Sequence, residues 1–412
     1  RHIPILWHGL LIKMHRRTFL KATGALAPFG LTACSNDVDP ARYSQEDADF
    51  IVSHADWERA NSGTGPFGRH TYPGYRGLAQ LPWFELDADG QLVCVDESVP
   101  RSTDIHCHLG MSLLFEPTLD LQQRHPRTKH LLDCDAKQPG CDLDLDVYAN
   151  TNFSDDALDT LSSTLTAQGL WGSDFAKTQT IANLLVEMEA MRVDKAILLP
   201  IKFNFWFGDR QTDVWQSEVS KNGTEKLQVG MSVSPHQDKR LEEMRTQFNN
   251  GRRILKLHPT VQRFYPDHRQ LENLYAMAQE LGVIVFFHGG RAGIEPASSQ
   301  PYALPRHYEW VFKNFPKLKC VIGHAGARDV DGMLELAERY DNIWLDIHGQ
   351  SITQLNRLIE RLGHHRVLYG TDWPFYHIGM SLAKVLIVTD NPNRSDARSA
   401  ILSDNAERLL NS

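Results

Sequence analysis

A chain of 412 residues with 42% hydrophobic residues, 18 Phe and 9 Trp carries enough apolar surface for one large domain or two ordinary ones. Its formal charge of -8 argues against nucleic acid as the main partner. The longest apolar runs fall short of the roughly 18 residues an ordinary spanning helix needs, and the 20 Pro and 28 Gly are scattered without low complexity or repeat.

In chain order, residues 14–34 come first. They open on Met14-His15-Arg16-Arg17, continue through Phe19, Leu20 and Lys21, and close on Leu31-Thr32-Ala33-Cys34. Paired arginines ahead of a short, weakly apolar segment resemble a twin-arginine export signal. Leu31–Cys34 resembles a lipoprotein processing box, with Cys34 the residue that would be acylated. A basic amphipathic first helix accounts less well for the Arg pair, apolar run and Cys in that order. Residues 1–34 are therefore expected to be upstream residues and signal, with Met14 the natural start. The product would be an exported, periplasmic or cell-envelope lipoprotein that meets the membrane only through a lipid at Cys34. Of the later cysteines, Cys134 and Cys141 bracket a short loop and suit a disulfide in an oxidising compartment. Cys107 and Cys320 sit in strand patterns and read as small buried side chains.

Residues 35–100 read as a tether and capping segment, with a helical stretch near 45–59. Trp83–Leu86 and Leu92–Val95, flanking Asp87-Ala88-Asp89-Gly90, read as a hairpin. Residues 101–412 form the main domain, interrupted by a long insertion at 109–175. The insertion's Asp133, Asp135, Asp142, Asp144 and Asp146 lack the Asp-x-Asp-x-Asp-Gly order of a calcium loop and are expected to be solvated. From Thr178 the pattern is regular. Strands are predicted over 194–200, 226–233, 253–258, 283–288, 319–324, 342–347 and 366–371. Helices are predicted over 180–192, 237–249, 266–281, 302–315, 329–340 and 352–362. With the strand ending at His108, eight near-continuous apolar strands alternate with amphipathic helices. This is the pattern of a parallel sheet, and eight units in roughly 300 residues fit an α/β chain closed into a (β/α)8 TIM barrel.

Active sites of such barrels lie at the C-terminal strand ends, and chemistry-bearing residues recur there. His106 and His108 alternate onto one strand face while Cys107 points to the other. His288 closes strand five before Gly289-Gly290, and His324 closes strand six before Ala325-Gly326. Asp372 follows strand eight, before Trp373-Pro374. Lys256 and His258 share a face at the end of strand four. Imidazoles and a carboxylate gathered at one rim suit a divalent metal.

The set Asp104-Ile105-His106-Cys107-His108, Lys256-Leu257-His258-Pro259, Phe287-His288-Gly289-Gly290, Gly323-His324-Ala325-Gly326 and Gly370-Thr371-Asp372-Trp373-Pro374 resembles the amidohydrolase superfamily. It is most similar to the amidohydrolase-2 branch, which includes aminocarboxymuconate-semialdehyde decarboxylase-like enzymes and many hydrolases. Ile401–Leu409 resembles that family's closing helix. The likeness spans about residues 100–410, and the insertion departs from it.

The resemblance implies one divalent metal ion, Zn2+ foremost and Mn2+, Fe2+ or Ni2+ compatible, held by His106, His108, His288 and Asp372. His324 would orient or deprotonate a water, and Asp372 would also shuttle a proton. Some superfamily members carry a carboxylated lysine bridging two metals at the place of Lys256. The reading adopted is a mononuclear site, with Lys256 and His258 as substrate or structural contacts. Arg291 and Arg328 either fork a substrate carboxylate or pair with loop acids. Trp206, Phe207, Trp373 and Phe375 are candidates for an aromatic wall, Trp373 for substrate contact; His348 and His377 are not assigned as ligands. The expected function is metal-dependent hydrolysis of a C–N or C–O bond in a small organic substrate. The alternatives are non-oxidative decarboxylation of a small carboxylic acid and a non-catalytic metal-binding lipoprotein; a homo-oligomer is compatible with each.

Overall fold

Helix α1 (Gln45–Asn61) begins where Ser44 and Asp47 form a capping box, each side chain accepting from the other's backbone N–H. The computed structural model describes residues 41–110, 119–132, 142–154, 156–158, 160–161, 175–203 and 210–412, and Tyr43–Ser412 is one compact unit. Residues 14–34 with Cys34, both Cys134 and Cys141, and Trp206 and Phe207 lie outside the described residues. Far from being a tether, α1 is fastened to the body. Asp47 pairs with Arg306 at 2.7 Å, and buried Glu58 accepts from Tyr148 N (2.9 Å) and Thr151 Oγ1 (2.6 Å).

Strand β1 (Thr71–Pro73) is followed by β2 (Phe84–Leu86) and β3 (Leu92–Cys94), which pair antiparallel as the expected hairpin. Asp87 Oδ1 accepts from Asp89 N and Gln91 N, and Gly90 takes the left-handed φ of 71° that the turn requires. After β4 (Ser102–Cys107), β5 (Asp142–Asp144) runs antiparallel to β1. Of the insertion's acids, Asp133 and Asp135 lie outside the described residues and Asp142 is exposed as expected, whereas Asp144 and Asp146 differ from expectation. Asp146 is buried and accepts from Gly63 N (2.9 Å) and Thr353 N (3.1 Å), and Asp144 accepts from Ser62 Oγ. They satisfy loop backbone and hydroxyl donors that burial would otherwise leave unpaired.

The remaining strands are β6 (Val193–Leu198), β7 (Leu227–Val229), β8 (Met231–Ser232), β9 (Ile254–Leu257), β10 (Ile284–His288), β11 (Cys320–Gly323), β12 (Ile343–Asp346) and β13 (Val367–Leu368). All pair parallel, in the orders β4-β6-β7 and β8 through β13. β7 and β8 are one strand interrupted at Gly230, whose N–H donates to Leu198 O at 2.8 Å. Ile105 N donates to Tyr369 O (3.1 Å) and Cys107 bridges Trp373, so the first strand meets the eighth and the (β/α)8 barrel closes. Ile105, Ile197, Ile254, Ile284, Phe286, Val321 and Leu368 pack together in one cluster. Ala406 and Leu409 join it from the closing helix. Leu198, Leu255, Val285, Phe287, Ile322 and Leu345 belong to the larger core that includes the surrounding helices.

Helix α2 (Ile181–Ala190) starts at its Thr180 cap. Helix α3 (Gln211–Asn222), ended by left-handed Gly223, has no counterpart in the sequence expectation. The helix expected over 302–315 is confined to Glu309–Asn314. Pro301 and Pro305 lack an N–H to continue an α-helical ladder, and short 3-10 turns stand there instead. Cys107 and Cys320 are buried free thiols, as expected. No helix among the described residues is long and apolar enough to cross a membrane.

Candidate metal centre

The alternation of β4 carries through its end. The rings of His106 and His108 lie 5.3 Å apart, and their Nε2 atoms face Asp372 Oδ1 at 3.5 and 3.2 Å. Cys107 turns the other way, its Sγ donating to Asp104 Oδ2 at 2.9 Å. His106 Nδ1 sits 2.7 Å from Asp346 Oδ2, and His108 Nδ1 2.8 Å from Leu199 O. A carboxylate and a carbonyl only accept, so both Nδ1 atoms carry the proton and both Nε2 atoms offer a lone pair to the same place.

The other rim residues reach that place through unusual backbone. His324 and Asp372 have φ of 57° and 54°, and Ala325, Gly326 and Ala327 are also left-handed. For residues with a side chain this conformation is held only where surrounding contacts over-determine it. At Asp372, its N–H donates to His106 O (2.7 Å) and its neighbour Trp373 accepts from His108 N (2.6 Å). His324 Nε2 lies 3.1 Å from His288 Nδ1, and the His258 ring stacks on His288 at 3.9 Å. Lys256 Nζ stands 3.3 Å from His106 Nε2 and 4.5 Å from the Phe286 ring centre. His348 Nε2 lies 3.7 Å from Asp372 Oδ2.

Burial sets the charge of the site. It pushes His106, His258, His288 and His348 well below the usual imidazole range and brings His324 down to about 3. It also lowers Lys256 to about 8 and pushes Asp346 up to about 7 and Asp104 to about 6. Neutral imidazoles with free lone pairs are the form that binds metals. Donor atoms of His106, His324 and Asp372 lie within 4.8 Å of one another. His324 Nδ1 is buried without a partner among the described residues, and a cation, the Lys256 ammonium, already sits against His106 Nε2. The donor set therefore fits a divalent ion. The third member of this close group is His324; the expected ligand His288 stands beside it, bonded through Nδ1.

The arginines resolve differently. Arg291 spends Nε and Nη2 on Asp329 (2.9 and 2.6 Å) and turns Nη1 to Asp47 O and Tyr43 Oη. It pairs with a loop acid and anchors α1, so the substrate fork read for it is corrected. Arg328 Nη1 donates to Ile51 O at 2.8 Å, while its buried Nε and Nη2 have no hydrogen-bond partner among the described residues. Trp373 is fully buried and its indole N–H donates to Glu187 at 3.2 Å, which removes it from any substrate-facing wall.

Sequence reasoning missed Asp346 and the linking role of Asp104. Asp346 Oδ2 also accepts from His324 N (3.1 Å) and Oδ1 from His348 N (3.0 Å). Asp104 accepts from His106 N (3.0 Å), Thr371 N (3.2 Å) and Thr371 Oγ1, joining the first and eighth strands. The available signal was an acid closing an otherwise apolar strand, at the same rim as the expected ligands.

No curated protein sequence matches the chain significantly. The family model described as Amidohydrolase matches residues 170–411, a span that holds His288, His324 and Asp372 and leaves out His106 and His108. Among solved structures, an uncharacterized TIM-barrel protein from Bordetella bronchiseptica is 20% identical, with 75% of this chain and 98% of that one covered at a TM-score of 0.52. 5-Carboxyvanillate decarboxylase from Sphingomonas paucimobilis is 15% identical, with 76% and 99% covered at a TM-score of 0.53. At these identities the likeness is one of fold.

Proposed function

The chain belongs to the amidohydrolase family, and from that premise we propose that it is a metal-dependent hydrolase acting on a C–N or C–O bond of a small organic substrate. The observation that carries this reading is the convergence of His106 Nε2 and His108 Nε2 on Asp372 Oδ1. His106, His108 and Asp372 would hold one divalent ion, zinc by donor type, a three-ligand set that leaves the open position of a catalytic site. When bound, such an ion supplies Lewis acidity toward a substrate carbonyl and acidifies a water in its reach. With Nε2–H donating to His288 Nδ1, His324 keeps a lone pair on Nδ1 and can take a proton from the attacking water. Asp372 Oδ2, facing His348 rather than the ligand imidazoles, is placed to pass a proton to the leaving group. Lys256, deprotonated part of the time at pH 8, orients His106 or the substrate.

A second reading, non-oxidative decarboxylation of a small carboxylic acid, is favoured by Arg328, whose buried Nε and Nη2 have no hydrogen-bond partner among the described residues and are the donor pair that suits a carboxylate. The purified protein should hold about one equivalent of metal, lost in His106→Ala. A panel of amides, lactones and aromatic acids, followed for hydrolysis and for carbon dioxide, separates the two reactions. Undiminished turnover of metal-free protein would sink both.

We also propose export and lipid anchoring, supported by Arg16, Arg17 and the Leu31–Cys34 box. Residues 14–34 fused to a reporter should export it only while both arginines are present; export of a double Lys variant at the wild-type level overturns this.

A further inference from the structure

Apart from the metal centre, the described residues hold a second buried group of two imidazoles and a carboxylate: His130, Glu187 and His377. Glu187 projects from α2 with its oxygens filled. Oε2 accepts from Trp373 Nε1 (3.2 Å) and faces His130 Nε2 (2.9 Å). Oε1 accepts from Ile378 N (2.9 Å) and faces His377 Nε2 (3.7 Å). The proton inventory speaks against a second metal here. His377 Nδ1 accepts from Gly379 N at 3.0 Å. The neutral ring must then carry its proton on Nε2, the atom a cation would need. His130 Nδ1, 2.8 Å from Pro374 O, carries a proton, and Nε2, 2.9 Å from the acceptor-only Glu187 Oε2, must carry a second for that contact to be a hydrogen bond, which leaves the ring no lone pair.

What the group does hold is the chain just after Asp372. Glu187 binds the Trp373 side chain and the Ile378 backbone, His130 binds Pro374 O, and Leu131 N donates to Phe375 O at 2.7 Å. Residues 373–378 are thus gripped from α2 and the 119–132 segment. On the barrel side, Asp372 N and Trp373 O bond His106 O and His108 N. A left-handed aspartate persists only when its surroundings leave it no alternative, and this double grip supplies that condition.

We propose that Glu187 is a positioning residue for the metal centre: by holding Trp373 and Ile378 it fixes the turn at Asp372 and so aims that carboxylate at His106 and His108. The proposal rests on the reading of those three residues as metal ligands. His130 and His377 serve as Glu187's partners. Burial alone would raise the Glu187 carboxyl, but these two rings and the hydrogen bonds outweigh it and hold it at about 2, in the form that accepts every donor around it. A glutamine in its place keeps the shape but turns one oxygen into a donor, set against Ile378 N–H or Trp373 Nε1–H.

The test compares wild type, Glu187→Gln, Trp373→Phe and His106→Ala, using Zn2+ with a competing chelator, the visible spectrum of the Co2+ form, and the melting point of the metal-free protein. Glu187→Gln should bind Zn2+ about ten- to a hundredfold more weakly, with altered Co2+ bands. Trp373→Phe, which removes one donor from the grip, should shift both in the same direction by less, and it carries the test if Glu187→Gln does not fold. Wild-type Zn2+ affinity and Co2+ spectrum in both variants, with His106→Ala binding no metal, overturn this inference and leave the metal centre standing. A second Zn2+ equivalent lost only in Glu187→Gln overturns it in favour of a metal at His130 and Glu187. Absence of Zn2+ binding by wild type overturns both this inference and the metal centre.

Discussion

Asp346→Asn should lower the affinity for Zn2+ by about ten- to a hundredfold and reduce kcat/KM at least as much. Asp346 is fully buried at the end of β12, and each oxygen is committed: Oδ2 to His106 Nδ1 and His324 N, Oδ1 to His348 N. Because both oxygens accept from a backbone N–H, the amide nitrogen of Asn must face one of them whichever way it turns. One orientation also reverses His106. An amide N–H opposite Nδ1 favours the tautomer with its proton on Nε2, and the lone pair aimed at Asp372 is lost. The unmet backbone donor costs about 1–3 kcal/mol of stability besides. A chelator competition and a urea titration on the same preparations separate the two effects. Zn2+ binding at the wild-type level in a folded Asp346→Asn protein would show that His106 needs no carboxylate behind it, and the account of the site would fail at its first step.

Why His106 and His108 were legible in the sequence and Asp346 was not is a matter of range. Two imidazoles two residues apart on a strand share a face by local geometry alone. Asp346 matters through a hydrogen bond to a residue 240 positions away, and nothing within β12 announces it beyond an acid closing an apolar run. The same contrast runs through the fold. The barrel strands could be read because both faces are buried and the apolar runs are continuous. They proved shorter than drawn, since the expected strand at 226–233 breaks at Gly230. Helix α3 escaped because its sequence is mostly polar. Its buried apolar stripe is little more than Trp215 and Val219, one turn apart and ending at Gly223. Arg291 and the acids Asp144 and Asp146 show a third kind of limit. Their residue types announce charge, but whether a guanidinium or a carboxylate faces substrate, solvent or backbone is decided by tertiary neighbours. Here Asp329, Gly63 and Thr353 decided it. One glycine of the family motifs has a mechanical reason of its own.

That glycine is Gly290, and Gly290→Ala should cost about 3 kcal/mol or more, beyond the usual range for overpacking. Two penalties coincide. The residue has φ of 67°, where a Cβ alone costs about 1–2 kcal/mol. An added Cβ would also lie 1.8 Å from Gly326 O and 3.0 Å from Gly326 Cα. The obstacle is backbone, which cannot swing aside as the end of a long side chain can. Gly326 O already accepts from Asp329 N at 2.8 Å, and the neighbouring loops are stitched by Arg328 N donating to Arg291 O at 3.1 Å. Relief must therefore separate the loop after β10 from the loop after β11. Two residues before each glycine stand His288 and His324, whose rings touch through a 3.1 Å hydrogen bond. The variant should lose metal affinity together with stability. Gly282→Ala supplies the comparison, because Gly282 has nearly the same φ, 68°, with open space around it. It carries the conformational penalty without the collision and should lose only about 1–2 kcal/mol, with metal binding unchanged. Urea midpoints for the two variants isolate the contact. If Gly290→Ala unfolds no earlier than Gly282→Ala, the close approach of the two loops is not what holds His288 against His324.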